Sequence, residues 1–202
     1  MTATDPEPRV VDALIVGSGP AAAAAAKRLV DAGYGTVVLE RKELPRHKPC
    51  SGILSPRGHR FLLENFGPLP KEALHAPSSC SGVKFHFPSL RSVAMEFDGG
   101  PTPHLYRKTA DLWILAQSGA EVHDRTEFKG LEDKGTHVDV RAEKDGRAVR
   151  YRARRVIGAD GPGLSVVRAV YPGYAGSIPW FVVGQKFHPV IDCPLEDKYF
   201  HF

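Results

Sequence analysis

Gly17, Gly19 and Ala22 fill a G-x-G-x-x-A spacing directly after a short apolar run (12–16, DALIV) and at the opening of an alanine-rich stretch. In such a spacing the first glycine permits a tight turn. The second leaves room for an approaching diphosphate, and the small third residue keeps the helix close to the strand. The helix then offers its first N–H groups and the positive end of its dipole to phosphate oxygens. Ala21 lies in that first turn. Glu40, followed by Arg41, closes the next apolar run (36–40, TVVLE). An acid there accepts hydrogen bonds from ribose hydroxyls and disfavours a 2′-phosphate. Strand, helix and acid in register point to NAD or to the ADP half of FAD, and away from NADP.

Three further segments carry polar groups suited to a flavin nucleotide. In RVIGADGPGLSVVR (155–168) an apolar run ends at Asp160 and Gly161. Asp160 there can accept from a ribityl hydroxyl, or simply cap a turn. Arg107, at the start of a helical stretch, can reach a phosphate or the ribityl chain; the alternative is a surface arginine. Lys48-Pro49-Cys50-Ser51-Gly52 forms a loop stiffened by proline and opened by glycine, able to lie against a flat ring. There Cys50 is either a candidate catalytic group or an inert buried thiol. Cys80 and Cys193 read as ordinary cysteines. The nine histidines show no metal-ligand spacing, so no metal site is expected.

The elements that must position these residues follow from pattern. A strand at 12–16, a helix at 20–32 closed by Gly33 and Gly35, and a strand at 36–40 make a β-α-β unit. Loop follows over 44–56, a short helix over 57–66 and a proline-broken stretch over 67–79. Alternation over 81–97 predicts a hairpin, 105–117 a helix, and 120–158 several strands with a turn at Lys144-Asp145-Gly146. A helix is expected at about 164–170 and a strand at 180–190. After the first unit the chain does not keep alternating strand and helix. It turns to a long loop and antiparallel strands, which favours FAD over NAD. The expected fold is α/β: a Rossmann-like FAD-binding layer with an added antiparallel β-sheet. Residues 1–170 are expected to form the FAD-binding domain, with a hairpin inserted at 80–100, and 171–202 to begin a substrate-binding domain.

The chain has 202 residues and a net charge of +4. Its basic residues are scattered without a recognition motif, which argues against nucleic acid. The excess reads either as a solvated surface or as attraction to an anionic cofactor or lipid surface. No apolar run reaches the length of a membrane span, and the start lacks a secretory pattern. Three cysteines without paired spacing suit a reducing, cytoplasmic setting.

Together these segments resemble the FAD-dependent oxidoreductases of the geranylgeranyl reductase family, within the flavoprotein group of the aromatic hydroxylases. The resemblance covers roughly 10–202. Its most discriminating mark is Lys48–Gly52, similar to that family's loop beside the flavin ring, with Ser51 in place of a glycine. The resemblance implies that reduced flavin hydrogenates double bonds of a prenyl or related apolar substrate, with NAD(P)H or another reductant as electron donor. It implies that Glu40 holds ribose, that Arg107 and Asp160 hold FAD, and that Cys50–Gly52 faces the isoalloxazine. Peripheral contact with a membrane would suit such a substrate. Members of that family are longer than this chain, so a fragment is expected. A flavin-dependent monooxygenase or halogenase, or a truncated non-catalytic FAD-binding module, are the alternatives.

Overall fold

A computed structural model describes residues 6–89, 91–174, 177, 179, 184–186 and 192–202. Along the chain run β1 (Arg9–Val16), α1 (Pro20–Asp31), β2 (Thr36–Leu39), α2 (Pro56–Phe66), β3 (Leu74–Cys80), β4 (Gly82–His86), β5 (Ser92–Glu96) and β6 (Thr102–Leu105). There follow α3 (Arg107–Ala116), β7 (Glu121–His123), β8 (Thr126–Asp133), β9 (Val138–Lys144), β10 (Arg147–Gly158), α4 (Ser165–Val170) and β11 (Tyr199–His201). Two compact units result: Met1–Arg46 with Ile114–Phe181, and His47–Trp113 with Val182–Phe202.

The first unit is built on a six-stranded sheet in the order β7-β2-β1-β10-β9-β8. β7, β2, β1 and β10 run parallel, whereas β10, β9 and β8 form an antiparallel meander. β1 and β2 are apolar and β-branched because parallel strands are covered on both faces. Leu14, Val16, Val37, Leu39, Val140, Ala153 and Val166 share one core cluster. α1 has no exposed surface at Ala22, Ala23 or Ala26. Those three methyl groups let the helix axis approach the sheet closely. The β9–β10 hairpin turns through Asp145 (φ +49°) and Gly146 (φ +78°), the left-handed pair that matches strand twist.

The second unit carries a three-stranded sheet, β11-β4-β5, and the pair β3-β6. The hairpin expected over 81–97 is β4 and β5. α2 starts at Pro56, and the Ser55 hydroxyl accepts from Gly58 N at 3.1 Å as an N-cap. Two expectations are corrected. The stretch over 67–79 is not merely proline-broken: it enters strand β3 at Leu74. Pro77 is tolerated because the β3–β6 register shifts between Leu74 and Ser79, where no ladder N–H is demanded. Leu105 is not helical but ends β6, its N–H given to Gly52 O at 2.8 Å; the helix begins at Arg107. Most of the strand expected at 180–190 lies outside the described residues.

Candidate functional site

Strand register brings the dinucleotide residues to one edge of the first unit. Val16 pairs with Leu39 of β2 on one side and with Gly158 of β10 on the other. The residues just past these strand ends therefore leave the sheet side by side: Gly17–Gly19, Glu40 and Ala159–Asp160. Gly17 N donates to Leu39 O and Ala159 N to Val16 O, both at 2.8 Å. Ligands of open α/β sheets sit at this carboxyl edge of the parallel strands.

The glycines do different work. Gly17 has φ +104°, and a Cβ there would lie 2.3 Å from Ala159 O, so only glycine lets the turn cross the end of β10. Gly19 is extended (φ −82°, ψ −179°), a conformation open to any residue. What Gly19 provides is space, since a Cβ would meet only Arg46 Nη2, at 3.9 Å. α1 starts with Pro20, has no side-chain cap and no acid in its first turn. Its N-terminal N–H groups are thus not covered by a cap, as a phosphate site requires. Ala21 is exposed at that turn and Ala22 is buried against the sheet.

Glu40 is 6% exposed. Its carboxylate accepts from the Ser18 hydroxyl at 2.5 Å, from Lys42 N at 2.9 Å and from Arg46 Nε at 2.8 Å. Arg46 Nε also donates to Ser18 Oγ at 3.3 Å. Burial opposes ionisation, but the Ser18, Lys42 and Arg46 donors outweigh it and hold the Glu40 carboxyl below its ordinary value. The acid is therefore a fixed anion at the end of β2. Arg41, next to it, is exposed. Ser18 and Arg46 are the partners of Glu40 that the sequence did not reveal. Ser18 occupies a variable place inside the glycine turn, and nothing in spacing ties Arg46 to Glu40.

Asp160 spends one oxygen on α4. Its Oδ2 accepts from Ser165 Oγ at 2.5 Å and Val166 N at 3.2 Å, and also from Ser165 N. Among the described residues no hydrogen bond reaches Oδ1, the atom left for a ligand. Gly161 follows at φ +63°.

In the second unit Cys50 is held by its backbone. Gln185 accepts from Cys50 N at 3.1 Å and donates to Cys50 O at 2.7 Å. Gly52, at φ +79°, crosses β6 so closely that a Cβ would lie 2.4 Å from Leu105 O. The Ser51 carbonyl meets His104 Nε2 at 3.2 Å. Arg107 grips the buried Asp111 with Nε at 2.6 Å and Nη2 at 2.9 Å, a bidentate pair one helical turn apart. Burial works against the Cys50 thiolate, yet the Gly52 N–H and the Arg107 guanidinium together hold its thiol below the ordinary cysteine value. Cys50, Arg107 and Gln185 line a shallow, open cleft with His47, Lys48, His75, Tyr106 and Lys108. Asp111 and Gln185 were not legible as partners, the latter because it lies far along the chain. Among the described residues no cluster of three His, Cys, Asp or Glu side chains could hold a metal.

A family model described as an FAD binding domain matches residues 10–196. The chain belongs to this FAD-binding family. It is 34% identical to the digeranylgeranylglycerophospholipid reductase 1 of Methanopyrus kandleri, across 88% of this chain and 48% of that protein. It is 32% identical to the geranylgeranyl diphosphate reductase of Rhodobacter capsulatus, across 91% of this chain and 44% of that one. The chain thus spans about half the length of the relatives it matches. Among solved structures, a geranylgeranyl bacteriochlorophyll reductase-like protein of Thermoplasma acidophilum superposes with a TM-score of 0.71 at 22% identity, covering 82% of this chain and 43% of that one. A myxobacterial chondrochloren halogenase superposes at 0.66 and 23% identity, covering 77% of this chain and 38% of its own. These two likenesses concern the fold, an α/β flavoprotein fold shared by reductases and halogenases. The first unit fits the ADP part of FAD on its own geometry: an open face at Gly19, an uncapped α1 and a buried ionised acid at the end of β2.

Proposed function

We propose that this chain is the FAD-binding half of a reductase that hydrogenates double bonds in a prenyl or related apolar chain, with NAD(P)H or another reductant as electron donor. The observation that carries the FAD part is the Gly17–Gly19 turn facing an uncapped α1 beside the ionised Glu40. The names of the relatives supply the substrate class. Gly19 and the start of α1 would take the diphosphate, and Glu40 the adenosine ribose. Asp160, through Oδ1, would hold a ribityl hydroxyl, and Arg107, oriented by Asp111, would supply positive charge. Arg41 and Ala21 would border the adenosine side, and Ser51 and Gly52 the ring.

Bound and reduced, FAD supplies a hydride. Saturating an alkene also needs a proton at the second carbon, and Cys50 Sγ is the candidate donor. Its loop fixes the thiol by backbone bonds from Gln185 and leaves the side chain to the cleft. Peripheral membrane contact would suit such a substrate; among the described residues no helix is long and apolar enough to cross a membrane.

The test uses the full-length protein. A reductase saturates its prenyl substrate without oxygen, read by mass spectrometry as a gain of two hydrogens per double bond. The rival reading is a monooxygenase or halogenase, since the same fold serves a halogenase. It predicts oxygen uptake that depends on substrate, and that result would displace the reductase. If Cys50 gives the proton, Cys50→Ala and Cys50→Ser keep FAD and normal flavin reduction but lose product formation roughly 10²–10⁴-fold. Full turnover in both removes Cys50 from the chemistry.

A further inference from the structure

His104, on β6, has a carbonyl oxygen at each ring nitrogen: Ser51 O is 3.2 Å from Nε2 and Pro77 O is 3.2 Å from Nδ1. The ring is wedged in place. Phe200 stands edge-on to it with centroids 4.8 Å apart, and the His75 ring lies tilted at 4.7 Å. Gly52 passes so close that a Cβ there would be 2.9 Å from His104 Cδ2. Each carbonyl calls for a donor, and only the charged ring could serve both at once. Burial nevertheless holds His104 below its ordinary value, against the pull of the two carbonyls. Where thiols ionise, the ring is therefore neutral and has one N–H to give.

That N–H matters because of what lies beyond Ser51 O. The Ser51 carbonyl and the Gly52 N–H belong to one planar trans peptide, so they point in opposite directions. Gly52 N donates to Cys50 Sγ at 3.5 Å. A donor that fixes Ser51 O thus fixes the tilt of the N–H aimed at the thiol, and by polarising the peptide strengthens it. The following peptide is tied separately, Gly52 O accepting from Leu105 N at 2.8 Å. Burial disfavours the Cys50 thiolate; of the groups that offset it the Gly52 N–H comes first and Arg107 next, while the Asp111 charge works the other way. We propose that His104 is a positioning residue for Cys50: its neutral ring carries the proton on Nε2, donates it to Ser51 O, and through the Ser51–Gly52 peptide keeps the Gly52 N–H on the sulfur. The use of that thiol as a proton donor rests on the function proposed above. Its positioning does not, and the test below reads no turnover.

Alkylation of Cys50 by iodoacetamide across a range of pH, followed by peptide mass, separates positioning from simple support. The alkaline plateau of the rate reports access to the sulfur, and the midpoint reports how well the thiolate is stabilised. An asparagine places its amide near the Nδ1 end of the imidazole it replaces, and a glutamine near the Nε2 end. His104→Asn is therefore expected to move the midpoint upward and to slow labelling near about pH 7 roughly 3–10-fold, as for a weakened hydrogen bond to a charged group, with the plateau unchanged. His104→Gln, which can still reach Ser51 O, is expected to label within about twofold of wild type. An unmoved midpoint in His104→Asn overturns the proposal. So does an equal loss in both variants, because an amide at the Nε2 end would then restore nothing. If circular dichroism shows His104→Asn unfolded, the wild type decides. Nitrogen NMR of its histidines above about pH 8 should find the His104 proton on Nε2, and a proton on Nδ1 overturns the proposal. Alkene saturation by the full-length protein that survives Cys50→Ala would end the donor role instead, with the midpoints of the His104 variants still deciding the positioning.

Discussion

At Glu40 three donors surround a carboxylate with almost no solvent contact. Such a group cannot be read as a ribose acceptor alone, because it also organises Ser18, Lys42 N and Arg46. Glu40→Gln retains the shape and loses the charge. FAD affinity should fall at least about tenfold, since hydrogen bonds to a charged acceptor are worth roughly 1.5–3 kcal/mol each; fluorescence titration reads it, and an unchanged affinity removes this acid from the site. The carboxyl is held below the ordinary value of 4.5 in the folded state. Its contribution to stability is therefore complete above that value and is lost as pH falls through the depressed one. Acid unfolding of Glu40→Gln should lack this component, a difference that thermal melts at falling pH would show. Cysteine chemistry divides in the same manner. Cys50 is held below the ordinary thiol value despite burial, while burial chiefly, and the Asp197 charge after it, push Cys80 above it. Iodoacetamide at pH 8 should label Cys50 well before Cys80, as mapped by peptide mass. Cys80 reacting first would contradict the account of both environments.

Among the elements, the β1–α1 turn separates two roles that look alike in the motif. Gly17 is needed for folding, because its φ of +104° and the 2.3 Å approach to Ala159 O leave no room for a side chain. Gly17→Ala should destabilise by about 2 kcal/mol or more. Gly19→Val should melt near wild type, since the backbone there is extended and open, yet lose dinucleotide binding. If Gly19→Val unfolds, or if it still binds FAD, the division of labour is wrong. This turn was legible because strand, turn and helix each leave a local signature: apolar run, glycine spacing and alanine face. β3 and β6 leave none. Pro77 argues against a strand until the register shift around it is seen, and Thr102–Leu105 is too short to show alternation. The β9–β10 hairpin, by contrast, announces itself through Asp145-Gly146, where both residues need positive φ.

For the whole chain, the residues of the candidate site at the carboxyl edge of the first unit were mostly legible in the sequence, because they follow strand ends that register must align. Val16 opposite Leu39 and Gly158 is enough to bring the turn, Glu40 and Asp160 together. The loop partners were not legible. Arg46 finds Glu40 by folding back over the turn, and Gln185 finds Cys50 across most of the chain's length; neither meeting has a period or a spacing. Family membership accounts for the cofactor, and the shared fold of reductases and halogenases leaves the chemistry to the side chains. This chain is proposed to hold FAD through the edge formed by Gly17, Gly19 and Glu40. Titration of the purified chain with FAD, followed by quenching of flavin fluorescence, should give saturable one-to-one binding that ADP displaces and that Gly19→Val abolishes. A chain folded by circular dichroism that shows no saturable FAD binding, or binding that ADP does not displace, would contradict it.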